Sequence, residues 1–385
     1  MNQEQSWLRE EVNNPMTARR TLSDAARLLA TLKLDGPMLI GLGLIVLYSL
    51  VVQYSASGQD SGTILRTLER IGLGTAIMLA LAHCTPNFLR RLAPWLYVIG
   101  ILLLVVVDAI GYVGKGAQRW LDLGVVRFQP SEIMKLAVPM MVASFLHERP
   151  LPPDWRTLLV VAGMVLAPVA LVVMQPDLGT AMLIAVAGVL VVLMAGLQWQ
   201  IIAALAVLAV GAAVVGWNFM HDYQRERVRV FLDPQSDPLG SGYHITQSQI
   251  AIGSGGVFGK GWMNGSQAQL AFLPESSTDF IFAVIGEEFG LVGLLLLVIL
   301  YLFVVSRAVF LSSQTSDTFS RLLASSIAFT FFVYVFINTG MVTGLLPVVG
   351  VPLPLVSYGG TAAVTLLAGF GILMGLHSHR KRVGT

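Results

Sequence analysis

The sequence predicts an all-α integral membrane protein of ten transmembrane helices, with one long extracytoplasmic loop between helices 7 and 8. Three observations predict it. Hydrophobic residues make up 55 % of the 385-residue chain and charged residues only 12 %, about half the charged share of a soluble domain, so most of its surface must face lipid. Apolar stretches of roughly 20 residues, the length that crosses a bilayer, recur along the chain. Among the segments between them, only 221–278 is long.

The spans fall near 37–56, 64–83, 94–113, 131–147, 156–174, 178–196, 200–220, 279–303, 322–342 and 354–376. The second carries Arg66, Glu69 and Arg70 in its first turns. An even number of spans puts both termini on one side. Lys and Arg are more numerous on that side, with Arg9, Arg19, Arg20 and Arg27 at one end and Arg380, Lys381 and Arg382 at the other, which makes it cytoplasmic. The chain then divides into a cytoplasmic N-terminal segment 1–36, a membrane domain 37–376 and a cytoplasmic basic tail 377–385. No short apolar core with a cleavage site precedes the first span, which is expected to serve as both signal and anchor. Within Thr17–Leu34, Leu22, Ala25, Ala26, Leu29 and Leu32 have helical spacing, as in an interfacial helix or a basic tail. The one cysteine, Cys84, excludes an intrachain disulfide, and a net charge of +2 gives no reason to expect nucleic acid.

Two loops on the opposite side are basic against that bias. In 114–130, Lys115, Arg119 and Arg127 alternate with Trp120 and Phe128. Aromatic rings are ordinary interface anchors, but guanidinium groups also suit phosphate, and Arg225, Arg227 and Arg229 open the long loop with the same charge. An anionic headgroup is the ligand such clusters fit. The long loop is expected to hold short helices on the outer face, since a structureless connection of that length is uncommon in a compact fold.

Ionisable residues at membrane depth are costly and mark function by default. They are Asp108, Glu132, Lys135, Glu287 and Glu288, with Asp177 and Asp279 at outer span ends. Asp279 reads either as a helix cap or as a carboxylate able to take a proton from a hydroxyl. At ~100° per residue, Glu288 faces away from Asp279 and Glu287 is offset by about 80°, so neither pairs with it; both read as partners for a basic group elsewhere. Glu132 and Lys135 share a helix face, as a local ion pair or as a cation aimed into a cavity. Asp108, at a helix C-terminus, needs a compensating charge, and Lys115 or Arg119 is nearest in sequence. Gly253 to Gly261 resembles a phosphate loop but lacks its first glycine and its Ser or Thr after Lys260, so no nucleotide site is expected. The chain has no HExxH and no Cys/His cluster, which argues against zinc, and nothing suggests haem. Gly and Pro recur at late span ends, in Gln175–Thr180, Gly344–Pro347 and Pro352–Gly360, where irregular backbone lines cavities.

Several segments carry a resemblance: Lys115–Lys135 (KGAQRWLDLGVVRFQPSEIMK), Gln175–Thr180 (QPDLGT), Asp237–Gln249 (DPLGSGYHITQSQ), Gly255–Trp262 (GGVFGKGW), Leu273–Gly290 (LPESSTDFIFAVIGEEFG) and Pro354–Gly360 (PLVSYGG). Together, from the first span to the last, they resemble the SEDS family (shape, elongation, division and sporulation), and its elongation branch in particular. The resemblance implies a peptidoglycan glycosyltransferase in the bacterial cytoplasmic membrane, polymerising lipid II at the outer, periplasmic face. It implies a class B penicillin-binding protein as partner, among other elongation-complex membrane proteins and membrane lipid. The family's essential acidic residue matches Asp279, and its cavity positions match Arg119, Glu132 and Lys135; Lys115, Asp177 and Arg225 are the further candidates for the diphosphate. A divalent cation, magnesium or manganese, held in part by Asp279, is the cofactor to expect. The leaving diphosphate is already activated, so an inverting displacement with one carboxylate base suffices. Two other readings fit the same pattern: a lipid II flippase and a non-enzymatic scaffold. No internal repeat of the kind common in transporters is found.

Overall fold

The computed structural model describes residues 31–114, 117–122, 127–204, 222–233, 240–270 and 275–379, with a few isolated positions besides. From the N-terminus come α1 (Gly36–Ala56), α2 (Ser61–Ala82) and α3 (Pro86–Ile110), a small sheet, then α4 (Pro130–His147), α5 (Trp155–Met174) and α6 (Leu178–Met194). The long loop holds α7 (Asp222–Leu232), α8 (Ser241–Gly255) and the single turn α9 (Ser266–Gln269). The chain closes with α10 (Ile281–Ser313), α11 (Thr318–Val342) and α12 (Gly360–Ser378). The expected span 200–220, the N-terminal amphipathic segment and the basic end of the tail lie largely outside the described residues.

Helix starts follow local chemistry. Asp35, Asp60, Asp154, Asp177 and Asp317 each accept a backbone N–H at the start of α1, α2, α5, α6 and α11, and Thr85 does so for α3. A cap of this kind contributes about 1 kcal/mol. Among the described residues six helices are long and apolar enough to cross a membrane: α1, α3, α5, α10, α11 and α12. In the most apolar stretch of α11, 67 % of residues are buried, against 22 % in α3. So α11 is the central post and α3 faces outward. The charged α2 forms all the same, held flush against α12 by glycines. A Cβ on Gly371 would lie 2.3 Å from Met78 O, and one on Gly375 would lie 2.7 Å from Ala82 O. Small residues four apart allow this backbone approach between membrane helices.

Three expectations about spans need correction. The third span runs from Pro86 to Ile110 rather than from 94 to 113, since its helix starts at the Thr85 cap and takes in Arg90 and Arg91. The last helix begins at Gly360 rather than near 354, because Pro352, Pro354 and the Gly359–Gly360 pair keep the preceding segment irregular. The eighth span runs not from 279 to 303 but from Ile281 to Ser313, and it is broken at Gly290 (φ 64°, ψ −159°). In a continuous helix Leu291 N would bond Glu287 O, and Val292 N would bond Glu288 O. Here the segment 256–261 of the long loop hooks into the break. Leu291 N donates to Gly256 O (3.0 Å) and Val292 N to Val257 O (3.1 Å), while Lys260 N donates to Glu287 O (2.9 Å) and Gly261 N to Glu288 O (3.0 Å). All four groups freed by the break are thus satisfied, as buried backbone requires. The phosphate-loop lookalike is this hook. Its glycines serve close approach: a Cβ on Gly290 would lie 2.4 Å from Gly259 N.

The fold is also not purely helical. Tyr112–Gly114, Ala117–Asp122 and Arg127–Phe128 form an antiparallel sheet β1-β2-β3 over α4, with Tyr112 opposite Trp120 and Leu121 opposite Phe128. The basic and aromatic alternation of this loop suits the period of a strand.

Candidate functional site

The candidate residues gather around two successive turns of α11. Tyr334 and Asn338, four apart, share one face of that helix. Lys135 and Glu132 reach Tyr334 from α4. Both are buried, with Lys135 Nζ 2.7 Å from Glu132 Oε1 and 5.3 Å from the centre of the Tyr334 ring. Glu132 keeps its other oxygen, Oε2, buried without a hydrogen-bond partner. One turn along, Asn338 is fully buried, and its Nδ2 donates to Asp279 O (2.9 Å) and to Val351 O (2.8 Å). From Thr318 to Asn338 α11 climbs ~30 Å at 1.5 Å per residue, the thickness of a bilayer's hydrocarbon core. That puts Asp279 at a membrane boundary.

Asp279 closes the turn 275–280 and is half-buried. It does not cap α10: the cap position is Phe280, which makes no side-chain cap bond. The turn is strapped to the segment 350–359. Tyr358 N donates to Ser277 O (2.8 Å), Ser357 Oγ donates to Thr278 O and accepts from Leu353 N (2.7 Å). Gly350, at φ 74°, leaves its side clear toward the Asp279 carboxylate: a Cβ there would lie 3.6 Å from Oδ2.

Arg119 and Asp177 form a second group beside the first. Arg119, on β2, donates through Nε to Gln175 O (3.3 Å) and through Nη2 to Pro176 O, and lies 3.8 Å from Asp177 Oδ2. Asp177 caps α6 and accepts from Gln129 Nε2 (3.0 Å), the residue before α4. The turn after Asp177 presses on the 349–351 segment, where a Cβ on Gly179 would meet Val349 O at 2.6 Å. So 349–353 is the common wall: Asp279 and Asn338 hold it on one side and the Arg119–Asp177 group on the other.

Other candidates fall elsewhere. Lys115 lies outside the described residues. Arg225 is half-buried on α7, which packs on α8, and among the described residues no contact joins it to the Lys135 or Arg119 groups. Asp108 is exposed at the end of α3, and Arg119 turns to Asp177 instead of to it. Glu287 is buried with a basic partner as expected, but that partner is Lys260 of the hook (2.7 Å), not a residue of another helix. Glu288 accepts from Ser55 of α1.

Two residues escape a search confined to ionisable groups at membrane depth. One is Asn338, whose signal is a primary amide within an apolar helix. The other is His244 of α8, stacked on Phe280 at 5.7 Å with the rings 19° apart. Burial pushes the His244 imidazole below its ordinary value, against the pull of Glu275 and Asp237. It therefore stays neutral against Phe280 at neutral pH. Among the described residues no group of three His, Cys, Asp or Glu could hold a metal ion.

The fold and site define a class: a polytopic helical membrane protein with a buried Lys–Glu pair and a half-buried carboxylate at one boundary of the bilayer. The chain matches the family described as cell cycle protein, FtsW/RodA/SpoVE, over residues 31–382, and belongs to that family. It is 53 % identical over 349 residues to the peptidoglycan glycosyltransferase MrdB of Escherichia coli K12, covering 90 % of this chain and 94 % of that one. It is 34 % identical to a probable peptidoglycan glycosyltransferase FtsW of Synechocystis, covering 91 % and 89 %. Among solved structures it resembles a chain from a peptidoglycan synthase complex that coordinates polymerization and crosslinking (TM-score 0.81, 32 % identity, 90 % and 98 % covered). It also resembles the rod shape determining protein RodA of Thermus thermophilus (TM-score 0.69, 30 % identity, 90 % and 98 % covered).

Proposed function

We propose that this chain is an inverting peptidoglycan glycosyltransferase that polymerises lipid II at the outer face of the cytoplasmic membrane, with Asp279 as its general base. The observation that carries the reading is the joining of Lys135 and Asp279 to adjacent turns of α11, through Tyr334 and Asn338. The cation and the loop that carries the carboxylate then meet neighbouring turns of one helix, which suits a displacement with a diphosphate leaving group. Asp279 takes the proton from the 4-hydroxyl of the acceptor GlcNAc as its oxygen attacks the anomeric carbon of MurNAc on the lipid-linked chain. The bond to the diphosphate breaks in the same step, and the α-linked donor becomes a β-linked product. Lys135 spends one of its three N–H donors on Glu132 and offers positive charge to the departing diphosphate; Arg119, steadied by Asp177, adds to that field.

The described residues offer no ready donor set for a protein-held metal. A magnesium or manganese ion would come with the substrate's diphosphate and need only Asp279 from the protein. Ten spans with both termini cytoplasmic would leave the long loop and the Asp279 side periplasmic. The proposed partner is a class B penicillin-binding protein, which crosslinks what this chain polymerises, within a larger set of elongation membrane proteins. The likeness to a synthase complex that couples the two activities supports that pairing.

The test uses the purified full chain in detergent with fluorescent lipid II and magnesium, with and without the cognate transpeptidase. Wild type should give glycan ladders on a gel, and Asp279→Asn should slow them by ~10²–10⁴-fold, the scale of a lost general base. Ladders at the wild-type rate from Asp279→Asn would remove Asp279 from that role. No ladders in any condition, with lipid II translocation in liposomes, would replace the reading with transport.

A further inference from the structure

We propose that Val257 and Phe258, at the tip of the hook, insert into the outer leaflet and anchor the long loop to lipid. Phe258 is 82 % exposed and Val257 54 %. Flanked by Gly256 and Gly259 at positive φ, they are set in place by the four backbone bonds to the break in α10. Lys260 is partly exposed but turns its ammonium to buried Glu287, and Trp262, 45 % exposed, donates its indole N–H to Val51 O of α1 (3.0 Å). The tip itself, Val257 and Phe258, is apolar.

The surface around the tip says what covers it. Val257 is bonded to Val292 N, and Leu291, Val292 and Leu295 are all about half exposed on the outside of α10. N-terminal to the break the character reverses: Ile281 to Glu288 are buried throughout. The lipid-facing part of α10 therefore starts at Leu291. From there to Ser313 is ~34 Å at 1.5 Å per residue, close to the ~30 Å of the hydrocarbon core. The hook tip thus sits at the edge of that core, continuous with a face that lipid already covers. Aromatic side chains at this level are favoured anchors, and an isolated phenylalanine this exposed gains by entering the acyl boundary. The catalytic loop would be held at a fixed height by lipid as well as by protein. The inference concerns lipid contact alone and stands whether or not Asp279 is the base.

The test places a nitroxide at the tip. Phe258→Cys and, separately, Val257→Cys are made in a Cys84→Ser background, with Glu226→Cys on exposed α7 as the water-side reference. Each full-length protein is reconstituted in phosphatidylethanolamine and phosphatidylglycerol vesicles. Collision rates with oxygen and with a water-soluble nickel complex are then read by electron paramagnetic resonance. Insertion predicts that labels at 257 and 258 favour oxygen, with the ratio inverted relative to 226. Labels as open to nickel as the one at 226 would overturn the proposal. So would labels shielded from both reagents, because a protein surface rather than lipid would then cover the tip.

Discussion

Replacing Asn338 with leucine removes two hydrogen bonds at nearly constant volume. The amide donates to Asp279 O and Val351 O from a fully buried position, so both carbonyls lose a donor. Each buried group left unsatisfied costs about 1–3 kcal/mol, or roughly 2–6 kcal/mol for the pair. Part of this returns, because Asn338 Oδ1 is itself buried without a partner and leucine relieves that penalty by about 1–3 kcal/mol. The net expectation is a loss of ~1–3 kcal/mol, read as a drop of several degrees in the melting temperature of the detergent-solubilised protein. The turnover effect should exceed what lost folded protein explains. With the Asn338 bond to Asp279 O gone, a shift of ~1 Å at the reacting group costs ~10²-fold, measured as glycan polymerised per minute well below the melting transition. Asn338→Ser, which keeps one donor, should fall between. A leucine variant with the wild-type melting temperature and the wild-type rate would show that the clamp neither holds the fold nor places Asp279.

Two further outcomes are expected. Gly371→Leu should prevent α2 and α12 from closing, since even a first carbon there lies 2.3 Å from Met78 O; size-exclusion chromatography should show aggregate rather than a single species, while Gly43→Leu, on an open face of α1, should elute as wild type. At the N-terminal end of α1, burial alone would raise the Asp35 carboxyl, but hydrogen bonds from Arg307 and Met38 outweigh it and hold Asp35 below its ordinary value. A lowered folded value stabilises the protein above the unfolded carboxylate range, and that contribution disappears as pH falls through the folded value. Melting temperature followed from pH 6 down to about pH 3 should therefore fall less steeply in Arg307→Gln than in wild type, from a lower starting point.

Much of the scaffold was legible because lipid is a strict solvent. Apolar runs locate α1, α5 and α11 to within a few residues, since unsatisfied backbone in a bilayer leaves few alternatives. The Glu132–Lys135 pair was legible for the same reason, as charge at membrane depth needs a partner. The break in α10 was not, because a single glycine within a long helical run is no signal of one and the partners of the break come from about 30 residues upstream. The sheet was missed because its strands are short and bonded only to each other. Asn338 and His244 were missed because uncharged polar groups leave no mark in a list of charges. The close α2–α12 contact had a signal in Gly371 and Gly375, but its partner helix can be named only from the packing.

The broken helix bears on how the protein is made. As it enters the membrane, the stretch around Gly290 can close its own ladder, with Leu291 N on Glu287 O and Val292 N on Glu288 O. Arrival of the hook trades those two bonds for four between loop and helix. With the long loop periplasmic, as proposed, the final form of α10 waits on residues 256–261, which precede it in the chain. Biogenesis ends here in a swap of partners, and a chain whose loop is delayed keeps a straight, self-satisfied helix where the mature protein has a joint.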